Sequence, residues 1–182
     1  MKTKYSYLLW VALFAGLSLT SCLKDTFAID FDEAASITII ELPYRTHTMV
    51  ASNQVPTANY TFSNLLVNCT AVFLSDIKAD IQVTLAVETS MVGTYNNENG
   101  LDGTTAARQP YVLMPSDAYT VPTTVTIKAG EREASYDVPV NTSSLEPGQK
   151  YIIPVKITNV PAPYTISGNF GHLYLRVDMR AL

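Results

Sequence analysis

The sequence is poor in the residues that most enzymatic and metal chemistry requires. It has two cysteines, two histidines and a single tryptophan. His47 lies in the polar stretch RTHT, and His172 follows Phe170 and Gly171. Neither histidine has a second histidine or a cysteine at ligand spacing, which argues against a zinc site. No Gly-x-Ser-x-Gly elbow occurs anywhere in the chain. Spacing leaves a Ser-His-Asp triad open, because triads assemble in space, yet isolated histidines are better read as structural. Positive charge is also scarce, with 12 Lys and Arg against 16 Asp and Glu. That balance speaks against a nucleic-acid partner. No cofactor motif is present, and no enzymatic activity is expected.

What is present begins at the N-terminus. Lys2 and Lys4 precede YSYLLWVALFAGLSL, residues 5–19, which is apolar or small almost throughout. A charged segment followed by such a run has the layout of a secretory signal peptide. It is too short to cross a membrane comfortably as a helix, which takes about 20 apolar residues. The run ends in LTSC and turns polar at once, LKD. Leu19, Thr20, Ser21 and Cys22 resemble the lipobox of bacterial lipoproteins: an apolar residue, two small ones, then cysteine. The resemblance implies cleavage before Cys22, a diacylglycerol on its thiol and an acyl chain on its new amine. Several chains anchor firmly where one is marginal, at about 0.8 kcal/mol per buried methylene. The expected divisions are a signal peptide over residues 1–21, an acidic tether over 22–34 and one domain over 35–182. The mature chain then has 161 residues. Losing Lys2 and Lys4 leaves ten basic residues against 16 acidic ones, a formal charge of −6.

Lipidation of Cys22 leaves Cys69 as the other cysteine, so no intramolecular disulfide is expected. A small exported domain without disulfides needs a substantial hydrophobic core. About 160 residues supply one, burying roughly 70% of the unfolded surface. Cys69 lies in LLVNCTAVF and reads as a buried small hydrophobe.

The domain shows strand periods rather than helical ones. Residues 36–42 are rich in β-branched side chains. Leu65, Val67 and Cys69 alternate with Leu66, Asn68 and Thr70 in the stretch 65–73. Residues 80–88 place Ile81, Val83, Leu85 and Val87 on one face. Further strands are expected over 123–128, 131–140, 151–158 and 172–180, the last with Leu173, Leu175, Val177 and Met179 inward and Tyr174, Arg176, Asp178 and Arg180 outward. Pro139 and Pro154 argue for edge or bulged positions. Residues 91–97 can form one helical turn. Short alternating strands between turn signals specify an all-β fold, an antiparallel sandwich, with a closed barrel as the alternative.

From VTLAVE onward the motif order is Tyr95-Asn96, YVLMPSDAY, TVTIKAGE, YIIPVKI and TISGN, closed by the alternating strand 172–180. This order resembles a domain of unknown function common in Bacteroidetes lipoproteins, over about residues 35–182. The resemblance implies an immunoglobulin-like β-sandwich of the kind that often precedes a glycan-binding or glycoside hydrolase module. Here it is expected to stand alone.

Several groups of side chains have the chemistry of a site. The pairs Asp76/Asp80 and Glu131/Glu133 could serve glycoside hydrolysis, but their surroundings read as solvated. The stretch NNENGLDG, residues 96–103, is oxygen-rich, yet an EF-hand register puts Tyr95 at the first aspartate and Ala106 at the closing glutamate. No metal is expected. Tyrosine presents an apolar face with a polar tip, and amides and carboxylates hydrogen-bond hydroxyls. The candidate ligand-binding residues are therefore Tyr95, Asn97, Asn99, Asp102, Tyr111 and Tyr119. The expected protein is a lipid-anchored envelope or surface protein, placed at the outer membrane: a non-catalytic binding module in a glycan-acquisition system. The alternative is a structural or assembly partner of another envelope protein, such as an adhesin or transporter component. The lipobox reading makes one direct statement. Cys22→Ser should abolish processing and release the protein from membranes; a variant still cleaved and still sedimenting with membranes contradicts it.

Overall fold

A computed structural model describes residues 38–51, 59–70 and 77–181, within the compact unit Ser36–Leu182. The expected signal peptide, Cys22 and the tether lie outside the described residues. So does Asp76.

Among the described residues ten strands form two sheets. They are β1 (Ile39–Glu41), β2 (Thr46–Ala51), β3 (Asn59–Cys69), β4 (Ile81–Val87), β5 (Val112–Leu113), β6 (Thr124–Ile127), β7 (Glu133–Asn141), β8 (Lys150–Asn159), β9 (Thr165–Ile166) and β10 (His172–Met179). One sheet has the order β7-β3-β1-β9 and the other β2-β10-β8-β4-β6, with β5 also on β8. The fold is the expected β-sandwich. Five ladders among the described residues are antiparallel. Three are parallel, β9 on β1, β2 on β10 and β5 on β8. Parallel neighbours cannot be joined by a hairpin and need a long connection. β2 accordingly pairs with a strand from the other end of the chain, Thr46 opposite Tyr174.

The core lies between the sheets. Ile40, Leu65, Val67, Ile81, Val83, Val138, Val155, Ile157, Leu175 and Val177 are all buried there, each contributing about 1.5–3 kcal/mol relative to exposure. Cys69 is buried among them, as its alternation indicated. On β3 the inward side chains are Phe62 and then Leu65, which breaks a strict period of two. The register with β7 slips between these residues. Asn64 takes φ 57° in the slip, and its amide donates to an Asp137 carboxylate oxygen at 2.9 Å. The bulge thus shifts the inward phase by one residue, and asparagine tolerates the left-handed conformation it requires.

The prolines divide. Pro139 lies on β7, an edge strand, as expected. Pro154 lies on β8, an interior strand, contrary to the edge expectation. The chain tolerates it because β5 pairs with β8 only at Tyr151 and Ile152, whereas β4 begins at Val155. Pro154 occupies the gap between these two neighbours, where no partner asks for its missing N–H.

β8 and β10 also break their alternation. Ile152, Pro154 and Tyr174 are buried although they face away from the sandwich core. The helix α1 (Met91–Glu98) explains this. It runs two turns rather than the single turn expected, and lies against the outer face of the larger sheet.

Among the described residues three buried polar atoms lack a hydrogen-bond partner, His47 Nε2, Asn68 Oδ1 and the Tyr136 hydroxyl. The Tyr136 hydroxyl is buried without a hydrogen-bond partner, and burial raises its pKa. Tyr136→Phe removes that cost. Thermal denaturation should show a higher melting temperature, reflecting on the order of 1 kcal/mol of added stability; a clear loss of stability would mean the hydroxyl has a role in the fold.

Candidate functional site

The site begins with α1. Tyr95 is the helix residue that is buried, and it meets Tyr111, Ile152 and Tyr174 in a small second core, with Met91, Val92 and Leu101 packed around it. Its ring is 4.6 Å from Tyr174, tilted by 55°, and 5.6 Å from Tyr111, edge-on at 87°. Such pairs add about 0.5–1.5 kcal/mol each beyond their buried area.

The polar atoms of this cluster are tied together. Arg176 Nη1 donates to the Tyr95 hydroxyl at 2.7 Å, and Arg176 Nε donates to Thr48 Oγ1 at 2.8 Å. Arg176 Nη2 also donates to Thr48 Oγ1. The Tyr111 hydroxyl donates to Asp178 at 2.8 Å. Burial and this carboxylate both push the Tyr111 phenol well above its ordinary pKa, so it stays a donor. Asn96, which was not among the candidates, holds the backbone of Tyr111 twice. Its amide nitrogen donates to the Tyr111 carbonyl at 2.8 Å, and its oxygen accepts from the Tyr111 N–H at 2.9 Å. It acts as a one-residue strand partner that fixes the start of β5 to the helix.

The amide-rich stretch after Tyr95 is largely a helix ending. The N–H of Leu101 reaches the Asn96 carbonyl at 2.9 Å, and that of Gly100 reaches Asn97 at 3.2 Å. Gly100 has φ +62°. This is a Schellman cap, with Leu101 making the accompanying apolar contact against the Tyr95 cluster. The Asn99 side chain donates to the Tyr95 carbonyl at 2.8 Å. Asp102 accepts from the Thr104 N–H and hydroxyl and pairs with Arg108 at 2.9 Å. The Thr104 bonds hold its carboxyl below the usual range. Asn97 is exposed. Tyr119 is elsewhere, bridged to Val140 of β7 and packed on the main core. Of the six candidates, Tyr95, Asn99 and Tyr111 come together, Asn97 and Asp102 lie nearby in the chain, and Tyr119 is apart.

Where α1 ends, it leaves a cleft against the larger sheet. The cleft encloses about 450 Å³ and is lined by Arg45, Thr46, Tyr95, Glu98, Asn99, His172, Tyr174 and Arg176. Tyr95 and Tyr174 form its floor. His172 stacks edge-on to Tyr174 at 5.2 Å. Its pKa is lowered by burial and then by the Arg45 charge, which keeps the ring neutral near pH 7. Arg45 stands over the Phe170 ring at 5.0 Å. Most of these residues come from β10 and from the entry to β2. The one trace of them in the sequence is the outward face of β10, where Tyr174 and Arg176 alternate with the core residues. Among the described residues, no group of His, Cys, Asp and Glu is disposed to hold a metal ion. Asp80 is exposed and joined to Lys128 at 2.8 Å, and Glu131 and Glu133 are exposed as well. The cleft can therefore donate and accept hydrogen bonds around an aromatic floor.

A family model described as a "-like, N-terminal domain" matches residues 31–163, and the chain belongs to that family of N-terminal domains. No curated protein is significantly similar to it. Solved structures share the fold. A candidate carbohydrate-binding protein from Bacteroides ovatus is 17% identical, with a TM-score of 0.61 over 78% of this chain and 37% of its own. A two-domain protein of unknown function from Bacteroides fragilis is 17% identical, with a TM-score of 0.59 over 87% of this chain and 51% of its own. EndoBT-3987 of Bacteroides thetaiotaomicron, solved with a Man5GlcNAc product, is 18% identical, with a TM-score of 0.51 over 72% of this chain and 28% of its own. The chain thus spans about half or less of each of these proteins.

The two kinds of residue in this region separate in a stability measurement. Tyr111→Ala opens a cavity in the second core and should cost about 3–5 kcal/mol. Asn97→Ala, at an exposed position, should change stability by no more than about 0.5 kcal/mol. Chemical denaturation of both variants checks the contrast.

Proposed function

We propose that the chain is a non-catalytic binding module, lipid-anchored through Cys22 at the bacterial envelope and serving glycan acquisition, with the cleft beside α1 as its ligand site. The observation that carries this reading is the lining of that cleft. A sugar offers hydroxyls on its edge and C–H groups on its faces. Asn99, Thr46, Glu98 and two arginines supply partners for the first, and the Tyr95–Tyr174–His172 floor suits the second. The family context supports it, since one structural neighbour is a candidate carbohydrate-binding protein and another is an auxiliary nutrient binding protein from Bacteroides thetaiotaomicron. A second reading makes the domain an assembly partner of another envelope protein. It is favoured by the family's being one of N-terminal domains.

A glycan array probed with purified protein of residues 22–182 tests the proposal. The protein should retain a defined set of glycans, and His172→Ala should weaken retention about tenfold, equivalent to some 1.4 kcal/mol. Asp117→Asn, remote from the cleft, should leave it unchanged. If no glycan is retained, or if both variants bind as the wild type does, the cleft is not a glycan site.

A further inference from the structure

The charges in the cleft are unbalanced. Two guanidinium groups, Arg45 and Arg176, line it with one carboxylate, Glu98, in a chain whose formal net charge is −4. Among the described residues neither arginine is in an ion pair. The ion pairs among the described residues are Arg108–Asp102 and Lys128–Asp80, both elsewhere. Arg176 is fixed in place by neutral oxygens only, Thr48 Oγ1 and the Tyr95 hydroxyl, with its guanidinium carbon 5.6 Å from the centre of the Tyr111 ring. Its orientation is set, and among the described residues no carboxylate forms an ion pair with it, the Asp178 carboxylate being taken by the Tyr111 hydroxyl. Arg45 is exposed and shelved on Phe170. A guanidinium stacked by its face keeps its N–H edge available, and that edge matches a carboxylate with two parallel hydrogen bonds.

We infer that the cleft selects glycans bearing a carboxylate, with Arg45 as the direct partner and Arg176 as a held positive charge behind it. The inference rests on the glycan-binding reading above and narrows it. Glu98 limits the number of acids that fit. A second carboxylate on the adjoining sugar would face Glu98 and be repelled, whereas a neutral sugar there could donate its hydroxyls to Glu98 and accept from Asn99. The fitting ligand is therefore an acidic sugar next to a neutral one, rather than an uninterrupted polyacid.

The experiment is a binding titration of the protein of residues 22–182 against three probes: sialyllactose, a hyaluronan hexasaccharide and hexagalacturonate. Each is measured beside its carboxyl methyl ester. At least one of the first two should bind, with its methyl ester at least tenfold weaker and hexagalacturonate weaker as well. Arg45→Gln should reproduce the tenfold loss on the free acid and leave the ester unaffected. Affinity should also fall as sodium chloride is raised, since an exposed charge pair is screened. If acids and esters bind alike, or if Arg45→Gln changes nothing, the carboxylate inference is overturned while the binding-module reading stands. If sulfated glycans on the same array outcompete every carboxylated one, the selection is for another anion and the inference is again overturned. If neither these probes nor the neutral array glycans bind, both readings fall together.

Discussion

A β-sandwich needs one apolar face per sheet, and this chain has more. Ile152 and Tyr174 project from the outer face of the larger sheet, where a two-layer fold would leave them in water. The domain depends on covering them. Eight residues of helix, Met91–Glu98, do so, with Tyr95 inserted as the contact and Tyr111 brought up alongside by β5. The helix has little reason to form by itself. It is two turns long, carries an internal glycine and has no side-chain cap at its start, and isolated helices of that length are marginal in water. Packing of Tyr95, Met91 and Val92 against the sheet supplies what propensity does not.

The cleft is a by-product of that cover. A short helix shields only part of a sheet, and the Schellman cap at Asn99 and Gly100 turns the chain away before the edge strand is reached. The uncovered remainder is the face of β10 and the entry to β2, which supply arginine, histidine and tyrosine. The buried floor is thus shared between structure and site: Tyr95 and Tyr174 hold the helix down on one side and shape the recess on the other. Polar groups such as Arg176 are held by two elements at once, which favours a pre-formed site over one assembled around its ligand.

Much of the scaffold was legible in the sequence because its core strands alternate cleanly. β4, β6, β7, β8 and β10 appear within a few residues of where period two placed them. β2 was not seen. THTMVA carries polar side chains outward on an edge strand, and its partner among the described residues lies at the far end of the chain, so no local pattern announces it. β5 and β9 have two residues each, too few for a period. The functional surface was harder to read. Abundant amides drew attention to residues 96–103, but Asn99 and Asp102 spend much of their hydrogen-bonding capacity on the loop itself, and Asn97 faces solvent. Sequence proximity joins Tyr119 to Tyr95 and Tyr111, although the fold separates them. The arginines of the cleft were invisible as a pair, since 131 positions separate Arg45 from Arg176.

The pairing of β2 with β10 also ties the two ends of the domain together. Thr46 meets Tyr174 and Ala51 meets Met179, so a strand near the start of the domain has nothing to bind until its last strand exists. A contact spanning that much chain carries a loop-closure entropy cost before any of its hydrogen bonds form, and folds dominated by such contacts are slow. β2 contributes Arg45's neighbour Thr46 and the Thr48 hydroxyl that steadies Arg176. The recess is therefore complete only when β2 and β10 have paired, and a chain truncated short of β10 would lack His172, Tyr174 and Arg176.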